Sequence, residues 1–164
     1  MGMDIHIDIV YKGEIIAEDI FEGRNSVWFN KLMGRTYAPE YDHLDRGWGA
    51  YPNAPKEYID RYSDEGTYFG HGYIKVRDFI DWFDKYRPDL DAGWVSTYDK
   101  WRIEKKGYIP EEIWHTLDPK DNPADMHFIE IPNTWEDSSI VVYKYVTQHK
   151  EIPGDAYIIY CFDC

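Results

Sequence analysis

The chain has little cysteine and little positive charge. Its two cysteines, Cys161 and Cys164, stand together near one end, and no second Cys or His pair lies at partner spacing. A Cys-x-x-Cys pair can be a redox pair or half of a zinc site. Without a partner pair the expectation is reduced thiols in a cytosolic setting. Against 31 acidic residues there are 18 basic ones, a formal net charge of −13. The resulting long-range field repels nucleic acid and anionic membrane, so neither is expected as a direct partner. The charge is compatible with a local cationic pocket, with acidic mimicry of nucleic acid, or simply with a soluble acidic surface. No apolar run approaches the roughly 20 residues needed to span a bilayer. The first residues lack a basic n-region and an apolar h-region, so the reading expects a cytoplasmic protein. There is no P-loop, Gly-x-Ser-x-Gly or dinucleotide fingerprint, and no internal repeat or low-complexity tract.

What the chain does have is aromatic mass. Of 164 residues 18% are aromatic, including 15 Tyr and 7 Trp. Such side chains bury large areas, so intrinsic disorder is not expected, and the length suits one domain with one core.

The stretch with the plainest pattern is 2–11. Ile5, Ile7 and Ile9 alternate with Asp4, His6 and Asp8, which in a strand turns one apolar and one polar face outward. Lys12-Gly13 supplies a turn, and Glu14 to Phe21 returns as a second strand. Asn25 can cap a short helix over 26–33, stopped by Gly34. Residues 35–54, with Pro39, Gly47, Gly49 and Pro52, read as a long loop of the kind that often carries function. Pro55 opens a short helix to Tyr62. Gly66, Gly70 and Gly72 mark a second loop, containing His71. Val76, Phe79, Ile80 and Phe83 fall at helical spacing and predict a helix to Tyr86, stopped by Pro88. Ser96 or Thr97 can cap a helix to about Lys106, with Gly107 as its stop. Pro110 opens a short turn, and 117–125 reads as a linking loop. Met126 to Ile131 alternates as a strand. The span 135–150 reads as a helix on its Thr134 and Asp137 capping pair and its length, with a strand as the competing assignment because of Ile140-Val141-Val142. Ala156 to Phe162 is a buried final strand. The expectation is an α+β single domain over 1–164. It would have a small mixed β-sheet, made of the N-terminal hairpin and two C-terminal strands, and four to five helices mainly on one face. If the last two strands are parallel neighbours, their crossover is right-handed.

Three constellations could carry chemistry. Asp4, His6 and Asp8 share a strand face. Asp-x-His supplies two ligands about 7 Å apart that suit a divalent metal. Asp163, His71 and His43 are candidate further ligands, and Asp4, His6 and Asp163 form the preferred set. Such a metal could activate water to hydrolyse a phosphate ester or amide. The plain alternative is a solvated or hydrogen-bonded sheet face. Second, Arg24 and Arg46 lie beside Gly at a loop or helix start. Arg24-Asn25 could grip an anion, or each arginine could end in a salt bridge, since acidic partners are abundant. Third, Tyr37, Tyr41, Trp48 and Tyr51 crowd the long loop. They could stack on a base, form a protein contact surface, or pack the loop down. His115, His127 and His149 have no companions at ligand spacing and read as ordinary histidines.

Taken in order, Met1-Gly2-Met3-Asp4-Ile5-His6, Arg24-Asn25 through Leu32-Met33-Gly34, Arg46-Gly47, His71 before 76–86, Tyr98 and Trp101 with Lys105, Gly107 and Pro110, and Phe162-Asp163 carry a resemblance over nearly the whole chain. It resembles an uncharacterised family of small bacteriophage and prophage proteins that open with Met-Gly-Cys-Asp-Ile-His. The chain departs from that pattern at Met3, where the family has Cys. It also has one middle-loop histidine, His71, in place of two, and Cys164 in place of a closing Asn. The resemblance implies a phage or prophage origin, and no activity.

The expected function is therefore a phage counter-defence protein, in the host cytoplasm, that binds and sequesters or cleaves a nucleotide-type immune signal. His6 and His71 are the candidate catalytic groups, Arg24, Asn25, Arg46 and Trp48 the candidate ligand-binding residues, and Asp4, His6 and Asp163 the candidate holders of a divalent metal. An acidic inhibitor of a host defence protein is the alternative, and a phage metabolic or virion-associated protein a third. A homo-oligomer is compatible with each.

Overall fold

In β1 (Asp4–Tyr11) the alternation read from the sequence becomes two buried faces. Ile5, Ile7 and Ile9 are wholly buried on one side, and His6, Asp8 and Val10 on the other. The computed structural model describes residues 4–24, 44, 46–114, 126–132 and 138–163. The expected helix over 26–33 with its Asn25 cap, residues 35–43 and 45 of the long loop, the linking loop at 117–125 and the Thr134/Asp137 capping pair lie outside them. The chain divides into two compact units, Met1–Tyr86 with Asp137–Cys164, and Arg87–Glu136.

The first unit is built on a five-stranded sheet in the order β2-β1-β7-β4-β3. Its strands are β1, β2 (Glu14–Arg24), β3 (Gly47–Trp48), β4 (Phe69–Lys75) and β7 (Tyr157–Asp163). Every ladder in it is antiparallel. Lys12 and Gly13, with φ of 51° and 78°, form the two-residue hairpin turn whose twist matches the flanking strands. Helices α2 (Val76–Tyr86) and α5 (Ser138–Gln148) cover one face. There Val76, Phe79, Trp82 and Phe83, with Ile140, Val142 and Val146, join the three β1 isoleucines, Ile74 and Ile158 in the main core. Phe83 stacks on Tyr143 with ring centres 3.9 Å apart. Burying one such aliphatic or aromatic side chain stabilises the fold by about 1.5–3 kcal/mol, enough for this packing to override the strand preference of Ile140-Val141-Val142. Helix α1 (Lys56–Tyr62) covers the opposite face, where Tyr58 and Tyr62 pack with Val10, Ile159 and Cys161.

The second unit pairs β5 (Leu90–Ser96) with β6 (Met126–Pro132) antiparallel, and carries α3 (Thr97–Lys106) and α4 (Glu111–Trp114). Ser96 caps α3 by accepting from the Asp99 N–H at 3.1 Å, and the Gly107 N–H closes it on the Ile103 carbonyl at 2.8 Å. Val95, Ile103 and Ile113 make a small cluster of their own, where the composition suggested no second core.

The α+β class is the one expected, and the hairpin, α2, α3, α5 and β7 fall where the sequence places them. Four assignments need correction. The stretch with Gly70 and Gly72, read as loop, is strand β4, and Gly47–Trp48 inside the long loop is strand β3. Leu90–Ser96 is a strand that the reading left unassigned. Finally, β6 and β7 are not neighbours, because each lies in a different sheet. No helix among the described residues is long and apolar enough to cross a membrane.

Candidate functional site

The site is made by an irregularity in β4. Between the pairs Phe69↔Phe162 and Gly72↔Tyr160 the strand carries one residue more than β7. Gly70, at φ 63°, absorbs the turn, a conformation glycine reaches without steric cost. Such bulges re-aim side chains, and here the residue re-aimed is His71. Its carbonyl is held by the Gly49 N–H at 2.9 Å. Gly72 follows for a different reason. A Cβ there would lie 2.2 Å from the Tyr160 hydroxyl oxygen and 2.4 Å from Cζ, so only glycine lets that phenol lie across β4.

The phenol meets Arg46. The Arg46 Nη1 donates to the Tyr160 Oη at 3.3 Å, and the guanidinium carbon stands 3.7 Å from the centre of the Trp48 ring. Among the described residues no carboxylate pairs with Arg46, although the chain has 31 acidic residues. Trp48 itself is 69% exposed. The stacked cation gains from the ring quadrupole, and a guanidinium has five N–H donors with which to meet a planar anion.

Arg46, Trp48 and His71 line one cavity of about 580 Å³, whose wall includes Tyr58, Tyr62, Tyr68 and Tyr160. That size, with apolar walls and a few convergent polar groups, is typical of small-molecule sites. The Nδ1 of His71 is buried and unpartnered among the described residues. Burial holds this imidazole below the usual histidine range, so it is neutral near pH 7 and can exchange a hydrogen bond with a ligand. Burial also pushes the Tyr62 phenol up to about 12 and raises Tyr160, against the pull of Arg46. The Tyr62 and Tyr160 phenols are therefore protonated at neutral pH.

His6 is placed differently. It is 7% exposed and does not line the cavity. Its Nε2 lies 2.7 Å from Asp163 Oδ2 and its Nδ1 3.5 Å from Glu22 Oε1. Its ring packs on Tyr62 and Tyr68 at 5.4 and 5.8 Å, the same two rings that wall the cavity. The structure thus brings together His6 and Asp163 of the candidate metal set. Asp4 stands opposite Asp163 in the ladder. Among the described residues no three His, Cys, Asp or Glu groups are arranged to hold a metal ion. His71 lines this cavity and His6 does not, so the two candidate catalytic histidines do not meet in it. Arg24 ends β2 opposite Asp4, with its side chain outside the described part, and Asn25 and His43 lie outside it altogether.

The remaining candidates take ordinary places. Asp8 is buried between sheet and α1, where its Oδ1 accepts the Asp19 N–H at 2.6 Å. Desolvation raises its carboxyl to about 6. Tyr51 packs on Tyr157 and Tyr73 with ring centres 4.7 and 5.1 Å away. His127 meets the Thr97 hydroxyl at 2.9 Å, and His149 stacks on Tyr145. Tyr37, Tyr41 and His115 lie outside the described residues. Reasoning from sequence missed the tyrosine wall. Its one local signal was Tyr58 and Tyr62, four apart on a short helix and so on one face.

Comparison of the chain with protein-family models, with curated proteins and with solved structures gave no match.

Proposed function

We propose that this protein binds a nucleotide-type small molecule in the cavity of Arg46, Trp48 and His71. In a phage setting, which rests on the sequence resemblance, it would withdraw a nucleotide immune signal from the host. The observation that carries this reading is Arg46. Its guanidinium is stacked on an exposed indole and is unpaired by any described carboxylate in a strongly acidic chain, at the mouth of a tyrosine-walled cavity. A cation beside aromatic faces suits an anionic phosphate attached to a planar base. The neutral imidazole of His71 adds a polar group that can read the ligand's edge.

Equilibrium dialysis against a panel of mononucleotides, cyclic dinucleotides and ADP-ribose-type nucleotides tests it. At least one class should be retained at one equivalent per chain. Trp48→Ala should weaken retention about tenfold or more, since stacking on one aromatic is worth about 1–3 kcal/mol per base. Recovery of the ligand intact marks sequestration, whereas recovery of a hydrolysed product marks cleavage. Retention of no panel member would refute the reading.

A second reading has its own support. Tyr98, Trp101, Tyr108 and Phe128 of the second unit are exposed, a composition found at protein interfaces. It favours an inhibitor that docks a host defence protein, and pulldown from host lysate at low and high salt tests it.

A further inference from the structure

Arg46 lines a second hollow as well. It has a volume of about 290 Å³ and is bounded by Gly47, Tyr73, Lys75, Asp78 and Tyr157. Its floor depends on Gly47, because a Cβ there would fall 1.9 Å from the Tyr73 ring. Tyr73 can therefore lie flat across β3 only over glycine, and there it packs against Tyr51 and Tyr157. Lys75, the last residue of β4, holds its Nζ 5.8 Å from the centre of the Tyr157 ring. Like Arg46, it has no carboxylate partner among the described residues. Some cations of this chain are paired with acids, as Lys56 is with Asp60, Arg61 with Asp19 and Arg102 with Asp99 and Glu112, whereas Lys12 and Lys85, like Lys75, lie near aromatic rings. Two cations around one hollow, neither paired with a carboxylate among the described residues, attract a mobile anion in a chain of net charge −13. The Asp78 carboxylate on the same rim repels a further anion but accepts from a hydroxyl.

We propose that the two hollows are lobes of one site joined at Arg46, and that the ligand is a nucleoside diphosphate extended by a hydroxyl-bearing group such as a sugar. The base lies in the tyrosine-walled lobe, the diphosphate on Arg46 and Lys75, and a hydroxyl of the extension on Asp78. The inference rests on the nucleotide reading of the larger cavity and specifies its ligand class.

Titration calorimetry with a nucleoside monophosphate, the corresponding diphosphate and the diphosphate sugar tests it, using the intact chain and its Lys75→Met, Lys75→Arg and Asp78→Asn variants. The diphosphate should bind the parent chain about tenfold more tightly than the monophosphate, as a charge-assisted contact implies. Lys75→Met should lose most of that preference, and Lys75→Arg should keep it. Asp78→Asn should lose the added affinity for the sugar. Inorganic pyrophosphate should compete with the diphosphate in the parent chain, which tests the lobe even if a variant fails to fold. If the parent chain binds mono- and diphosphate equally and pyrophosphate does not compete, the second lobe is overturned while the base-binding cavity stands. If no nucleotide binds at all, both fall together.

Discussion

Replacing Asp8 by Asn should stabilise the protein at neutral pH and have little effect in acid. Asp8 is 1% exposed, beneath Tyr58 and Tyr62 of α1. One oxygen accepts the Asp19 N–H, while the other is buried and unpartnered among the described residues. Burial is the main cause that raises its carboxyl from 3.8 to about 6, with Asp19 and Glu18 adding to the rise and the Asp19 N–H and Arg61 opposing it. A folded state that holds its proton to higher pH than the unfolded chain is favoured in acid. That contribution is complete below about pH 4 and is lost as pH rises through 6. At about 1.4 kcal/mol per pKa unit, the ionised form costs at most about 3 kcal/mol, and solvent screening brings the expected effect to about 1–2 kcal/mol. Asn keeps the acceptor for Asp19 and carries no charge to desolvate. Urea unfolding of parent and variant from pH 4 to pH 7.5 measures the effect. Other carboxylates titrate in both proteins, so the difference isolates Asp8. The variant's advantage should grow by about 1–2 kcal/mol across that range. A difference that stays flat, or shrinks with rising pH, would refute the picture of a buried acid held by the Asp19 N–H.

Two further predictions concern the site and its support. Gly72→Ala places a methyl group against the buried Tyr160 phenol. It should lower stability by about 1–3 kcal/mol and weaken nucleotide retention by displacing the hydroxyl that Arg46 meets. Chemical denaturation and dialysis on the same sample check both. Cys161 is fully buried, and burial pushes its thiol up to about 12. In a Cys164→Ser background the native protein should therefore take up no thiol reagent at pH 8, and one equivalent once unfolded. Rapid native labelling would contradict its position between the sheet and α1.

Local signals found the elements whose cause is local. The alternation of Ile5, Ile7 and Ile9, the spacing of Val76, Phe79 and Phe83, and the caps at Ser96 and Gly107 need only neighbouring residues to act. Strands β3 and β4 escaped because their glycines look like loop residues. Their purpose lies in Tyr73, across the ladder, and in Tyr160, on a distant strand, and no local pattern shows either. The polar face of β1 read as an open site because alternation cannot tell whether a helix covers it. Helix α1 does, so His6 and Asp8 are buried while His71 reaches the cavity. Arg46 and Trp48 were drawn from composition as separate features, an anion grip and an aromatic platform. Their stacking, which joins the two, needs the extended backbone of β3, where residues two apart share a face. Among the described residues Arg46 packs against Trp48 and Tyr160 and meets no carboxylate.

The central claim is that the cavity of Arg46, Trp48 and His71 holds a nucleotide. A crystal structure of the protein with the panel member it retains most strongly tests this most directly. The base should lie against Trp48 and the tyrosine wall, a phosphate on Arg46, and a ligand atom against the His71 imidazole. A nucleotide seated elsewhere, with this cavity empty, would contradict it.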